Sequence, residues 1–256
     1  MPTLCPKCGY QRQPIDLNIH EGICPACGIA YKKWLAQTQP NSSAEHGTES
    51  HHEHIPYNED KLLHRILEEL RYVPERTDPT AFWGRAIALP LLTLWGLSFI
   101  YGGIDWESIN GSFMHSINLP FHEFGHVLFR PFGRFMTILG GSLFQVLMPL
   151  GLMFAFLIQR RDTFGASLML WWSGQSFIDL SPYIADAPYR GLPLVGGMGE
   201  EAHDWGNLLT MTNAIDSAAS IARFSFTLGS LLVLTASCWG AYVLWLQYQR
   251  LEQFSG

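Results

Sequence analysis

The chain has 256 residues, a formal net charge of -6, and 48% hydrophobic residues. A negative balance without a long basic run argues against a nucleic-acid surface, so we expect no nucleic-acid partner. Charges are concentrated in the first third and apolar residues in the rest, which predicts two unlike parts. There is no apolar stretch near Met1, so we expect no cleaved signal peptide and a cytoplasmic amino-terminal part.

Four cysteines form two CxxC pairs with fifteen residues between the inner two. They are Cys5, Cys8, Cys24 and Cys27. Four thiolates complete a tetrahedral shell and leave no position for water, so the pattern predicts a structural zinc ribbon over residues 1–36. Two disulfides are the alternative, which the expected cytoplasmic location disfavours.

Residues 37–60 are polar and rich in Ser, Glu and His, which predicts a flexible linker. Within this linker His51, His52 and His54 form a short histidine tract that can collect metal weakly. Apolar residues then recur at helical spacing, with acids and bases opposite, so residues 61–76 are predicted to form an amphipathic helix at a membrane surface.

Residues 81–250 predict a mainly α, multi-pass membrane domain with about four to five membrane segments. The predicted spans are 81–101, 135–159, 163–178 with a short extension, and 224–246. A loop rich in Pro, Gly and acids is expected over 179–209. The distribution of Lys and Arg favours four spans.

The sequence NLPFHEFGHVLFR, residues 118–130, places His122 and His126 four residues apart with Glu123 beside the first. Positions i and i+4 share one face of a helix. Two imidazoles on that face can hold one zinc ion, and the adjacent carboxylate can act as general base. The HExxH pattern therefore predicts a catalytic zinc site.

The sequence allows two starting points for the helix that carries HEFGH. Asn118 can cap it, Pro120 suits a first turn, and Pro131 ends it. Residues 119–130 would then give about 18 Å of helix, short of the roughly 30 Å hydrocarbon core. Either the helix is re-entrant, or it begins near Ser112 and kinks at the proline.

A catalytic zinc ion needs a third protein ligand and one position for water. His203 is the preferred candidate, with Asp204 as the group that orients its imidazole. Asp186 is the rival ligand, and Asp204 itself is a further alternative.

HEFGH in a membrane segment, followed two apolar stretches later by a Pro-containing acidic motif, resembles the site-2 protease clan of membrane zinc metallopeptidases. The resemblance covers about residues 81–250 and excludes the ribbon. In that clan a motif N-x-x-P-x-x-x-L-D-G supplies an aspartate ligand. Here Asp179 replaces the Asn, Pro182 keeps its place, Asp186 comes one residue early, and Ala187 replaces the final Gly.

Less-studied relatives of that clan share a sequence pattern with three motifs, FHEFGHVLFRPFG, LGGSLFQ and HDW. This pattern favours His203 as the third ligand. The resemblance implies peptide hydrolysis, with Glu123 taking the proton of the attacking water. Arg130 and Gln175 are candidate donors to the oxyanion. Residues 140–142 are expected to form either an extended edge for a substrate strand or a turn.

We therefore expect a zinc endopeptidase of the cell membrane, with one catalytic and one structural zinc ion and a membrane-associated polypeptide as substrate. A metal-ion transporter is one alternative, with His122, His126, Asp186 and His203 along an ion path. A non-catalytic zinc-binding scaffold is the other. Simple coordination does not need the HExxH glutamate, which favours the enzyme.

Overall fold

The computed structural model describes residues 4–14, 16, 19–38, 59–74, 78–193, 199 and 202–255. The chain divides into two compact units, Met1–Tyr57 and Asn58–Gly256. The predicted linker, with its histidine tract, lies outside the described residues except at its two ends.

The first unit is built from two similar turns, one around each CxxC pair. In each turn the N–H of a glycine donates to the carbonyl of the first cysteine at 2.9 Å, Gly9 to Cys5 and Gly28 to Cys24. Both glycines have a φ near +70°, in the left-handed region that other residues rarely adopt. A helix, α1 (Tyr31–Thr38), follows the second turn.

The second unit is helical in its described part, which confirms the predicted mainly α class. Its helices are α2 (Glu59–Leu70), α3 (Pro79–Gly102), α4 (Trp106–Asn110), α5 (Phe113–Phe129), α6 (Arg134–Ala155), α7 (Thr163–Ala185), α8 (Asp204–Met211) and α9 (Ala218–Ser255).

Among the described residues, three helical segments are long and apolar enough to cross a membrane: Pro79–Gly102, Arg134–Arg160 and Ile215–Gln253. They coincide with three of the predicted spans. The fourth, 163–178, lies in α7, which is long enough but carries many buried polar side chains. These are Thr163, Ser167, Ser173, Gln175, Ser176, Asp179 and Ser181. A total of four to five membrane segments stays a prediction.

Helix α7 is the centre of the second unit, because it packs against both α6 and α9. It approaches α9 closely at Gly174 and Gly229. A Cβ atom on Gly174 would lie 2.8 Å from the carbonyl oxygen of Gly229, and one on Gly229 would lie 2.5 Å from that of Gly174. The two backbones therefore touch, which only glycine permits.

The predicted amphipathic helix is α2, and its carboxyl end is fixed to the helical unit. The indole N–H of Trp239 donates to the carbonyl of Leu70 at 2.8 Å, and the hydroxyl of Thr163 donates to that of Tyr72 at 2.8 Å. Ile66 and Leu67 remain exposed on α2. The position of α2 at a membrane surface stays a prediction.

We expect Gly229→Ala to destabilise the fold by about 1–3 kcal/mol, because the added methyl group overpacks the contact between α7 and α9. Gly84→Ala in α3 is the matched control, since no atom lies within 4 Å of its Cβ position. Chemical unfolding of the purified protein in one detergent measures both. Equal stability of the two variants would contradict the close packing.

Candidate metal centre

Helix α5 carries HEFGH. It begins after Ser112, as in the longer of the two predicted helices, and not at residue 119. It has 17 residues, about 25 Å of helix, and begins where the Ser112 hydroxyl accepts an N–H at 3.1 Å. Pro120 therefore lies inside the helix. Asn118 is not the cap that the sequence predicted. It is buried, accepts from the indole of Trp172 at 2.8 Å, and donates to Gln175 at 2.8 Å, which ties α5 to α7.

His122 and His126 face the same carboxylate. Their Nε2 atoms lie 3.0 and 3.3 Å from Oδ2 of Asp204, at the start of α8. Two ligand atoms on a tetrahedral zinc ion are about 3.3 Å apart, given metal–ligand bonds of about 2.0–2.1 Å. These three side chains can therefore hold one metal ion and leave a coordination position open.

The opposite edge of each imidazole is held by a hydrogen-bond acceptor. Nδ1 of His122 contacts Oε1 of Gln145 at 3.0 Å, and Nδ1 of His126 contacts the carbonyl oxygen of Thr137 at 2.8 Å. Because each acceptor needs a proton on Nδ1, the Nε2 lone pairs point toward the carboxylate. Such outer contacts orient metal-binding histidines.

Gly141 makes room for the two imidazoles. The sequence predicted an extended strand or a turn at residues 140–142, and this prediction is wrong because α6 continues through them. A Cβ atom on Gly141 would lie 2.6 Å from Nε2 of both His122 and His126. The glycines let α6 approach α5, and this packing outweighs their weak helix propensity.

His203, the preferred third ligand, and Asp186, its rival, lie outside this cluster. The Nδ1 atom of His203 accepts the N–H of Gly206 at 3.0 Å and so caps α8, while its Nε2 atom lies 3.3 Å from Asp186. His203 is fully buried. The preference for His203 is therefore corrected by the geometry, which places the next residue, Asp204, beside the HEFGH histidines.

Residues one apart at a helix start point in different directions, so the HDW sequence could not decide between them. The backbone N–H of Asp204 donates to the hydroxyl of Tyr183 at 2.9 Å, which positions this carboxylate from α7. No feature of the sequence marked this tyrosine as part of the site.

Glu123 lies beside the metal centre, on the wall of a cavity of about 640 Å³. It makes no hydrogen bond or ion pair with a described residue, so its carboxylate oxygens are free to contact a molecule in the cavity. The predicted oxyanion donors do not reach this cavity. Arg130 is exposed at the end of α5, and Gln175 is buried against Asn118.

The four cysteines of the first unit also form a compact cluster. Sγ of Cys5 lies 3.7 Å from that of Cys27, and Sγ of Cys8 lies 3.7 Å from that of Cys24, so none is in a disulfide. Two thiolates on one zinc ion are about 3.8 Å apart. Burial opposes ionisation of Cys24, but the backbone N–H groups of Cys27 and Ala26 stabilise the thiolate and lower its pKa to about 6. The cluster can hold a metal ion.

No family model, curated protein or solved structure matches this chain. The resemblance to the site-2 protease clan therefore stays a prediction, and function has to be argued from the residues of the site.

We expect Gly141→Ala to weaken zinc binding at the histidine site by about 10–100-fold, because the methyl group displaces both imidazoles from their supporting contacts. Gly151→Ala on the same helix is the matched control, since its Cβ position has no neighbour within 4 Å. Competition with a zinc chelator measures the affinity. If Gly141→Ala binds zinc as tightly as the parent, the imidazoles of His122 and His126 do not pack against Gly141 of α6.

Proposed function

We propose that the chain is a membrane-embedded zinc metallopeptidase that hydrolyses peptide bonds of membrane or membrane-proximal proteins. The observation that carries this proposal is the convergence of His122, His126 and Asp204 with Glu123 on the wall of the same cavity. The HEFGH sequence and its resemblance to the site-2 protease clan support it.

Zinc is the metal that this donor set favours for hydrolysis. Two imidazoles and one carboxylate are the protein ligands of several zinc hydrolases, and the fourth position remains for water or substrate. Asp204 is the proposed third ligand, in place of His203 or Asp186. In the first unit, the four thiolates of the cysteine cluster fit a structural zinc ion, which would stabilise the fold and take no part in the chemistry.

The reaction uses the side chains in separate roles. A bound zinc ion would supply Lewis acidity, which polarises a carbonyl group and makes water more acidic. Glu123 accepts the proton of the attacking water and then delivers it to the leaving amine. Gln145 and Thr137 keep the imidazoles oriented, and Tyr183 keeps Asp204 in place, so the site needs little rearrangement on binding.

The surface of α3 supports a location in the cell membrane. Trp83, Ile87, Leu91 and Leu94 form an exposed apolar stripe along this helix, which suits contact with lipid. Arg85 is neutralised by Asp162, with 3.3 Å between the charged atoms. A charge within an apolar helix is tolerated when it is paired in this way. We place the first unit on the cytoplasmic side.

We expect Glu123→Gln to slow peptide hydrolysis by about 10²–10⁴-fold while zinc content is unchanged, because Gln cannot accept the proton. Cleavage of fluorescently labelled casein by the purified protein in detergent measures the rate, and elemental analysis measures zinc. Glu107→Gln on α4 is the control, since this exposed glutamate is outside the cavity lining.

Two outcomes would contradict the proposed peptidase function. Hydrolysis by Glu123→Gln at the parent rate would remove Glu123 as general base. Zinc flux into liposomes that survives this substitution, without hydrolysis, would favour the transporter.

We expect Asp204→Ala to lose the metal of the histidine site, because two imidazoles alone bind zinc weakly. Asp186→Ala is the comparison, and it should keep that metal because its carboxylate faces His203 and not the HEFGH histidines. Elemental analysis measures the loss as one zinc ion per chain, while the ion of the cysteine cluster is retained. Loss of metal from Asp186→Ala alone would reverse the assignment of the third ligand.

A further inference from the structure

Besides His122 and His126, the cavity is lined by a third histidine, which is not part of the metal centre. His115 lies on α5, seven residues before His122, and both line the cavity. Its Nδ1 atom lies 3.0 Å from Oδ1 of Asp179, a buried carboxylate on α7. The ring also packs edge-to-face on Trp106, with 5.6 Å between the centroids. The imidazole is therefore fixed on two sides.

A chain of hydrogen bonds joins this histidine to the metal centre. The amide nitrogen of Gln145 donates to Oδ2 of Asp179 at 2.8 Å, while its amide oxygen accepts from His122. A carboxylate can only accept, so the direction of every bond in the chain is set. His115 must place a proton on Nδ1, toward Asp179, and its Nε2 atom makes no hydrogen bond to a described residue.

The negative charge of Asp179 favours the protonated form of the His115 imidazole. Asp179 is 4% exposed, and its two described partners are His115 and the neutral Gln145. A buried carboxylate without a counter-charge is costly, so the adjacent imidazole is stabilised as the cation. A cationic imidazole has a proton on both nitrogens. With Nδ1 on Asp179, the Nε2–H of His115 remains as a donor at the cavity wall.

We propose that His115, held by Asp179, binds the substrate by donating a hydrogen bond from Nε2 to a backbone carbonyl of the peptide in the cavity. This inference rests on the proposed peptidase function. Seven residues of α5 separate His115 from His122, about 10.5 Å of helix rise, which an extended peptide covers in about three residues. His115 thus contacts the peptide away from the scissile bond.

Two zinc-binding probes of different length separate this contact from the metal centre. Acetohydroxamate reaches only the metal, whereas a hydroxamate carrying three leucine residues extends along the cavity. We expect His115→Ala to raise the Kd of the trileucine hydroxamate about tenfold and to leave that of acetohydroxamate unchanged. Calorimetry on the full-length, zinc-loaded protein in detergent measures both.

His64→Ala is the matched control, since His64 pairs with Glu68 at 3.2 Å on the exposed face of α2. It should bind both probes like the parent. His115→Gln keeps an N–H donor of similar reach and should lose less affinity for the longer probe than His115→Ala. This variant also keeps the test informative if the alanine variant does not fold.

The other outcomes are separable. Equal weakening of both probes would assign His115 a structural role at the metal centre, and no change in either would show that it does not contact the peptide. The parent protein could cleave no peptide while His115→Ala still weakens only the trileucine hydroxamate. In that case His115 binds the peptide, and the peptidase function fails. If the parent binds neither probe, the metal centre and this proposal fail together.

Discussion

The close approach of α5 and α6 is the constraint on which the site depends. Gly125 and Gly140 meet backbone to backbone, and a Cβ atom on Gly140 would lie 2.7 Å from the carbonyl oxygen of Gly125. At this separation Gly141 packs against the imidazoles of His122 and His126. Gln145 and Thr137 contact the Nδ1 atoms of these rings. Larger residues at the crossing would separate the helices, and each histidine would lose the contact that fixes its orientation.

Helix α7 supplies the polar interior that this arrangement needs. Gln175 faces Asn118, and Asp179 faces both His115 and Gln145, so α5 and α6 are joined to α7 by hydrogen bonds between side chains. Such groups are costly to bury unless they are paired. A helix with this composition is better suited to the centre of a bundle than to contact with lipid, which explains why it falls outside the three apolar helices.

The sequence predicted the features that depend on local spacing. The HEFGH histidines share a face because they are four residues apart, and the cysteine pairs converge because each CxxC turn repeats the same backbone geometry. Three long apolar helices follow from composition alone. These properties need no knowledge of the tertiary fold.

Properties set by packing between helices were beyond the sequence. Asp204 lies near the histidines because of the direction in which α8 starts, and HDW gives no sign of that direction. Gly140 and Gly141 looked like breaks in a helix, but their use as contact points appears only when α5 is in place. Asn118 looked like a cap for the same reason, since its partners Trp172 and Gln175 are more than fifty residues away.

Pro120 has a mechanical consequence for the cavity. It lies within α5 between His115 and His122, and because proline has no N–H it cannot donate to the carbonyl of Ser116. The ladder of backbone bonds is interrupted there, and bending costs less at such a point than elsewhere in a helix. His115 and Asn118 hold the amino-terminal half of α5 against α7, and the glycine crossing holds the half with HEFGH against α6, so these two sets of contacts fix the angle of α5 at Pro120.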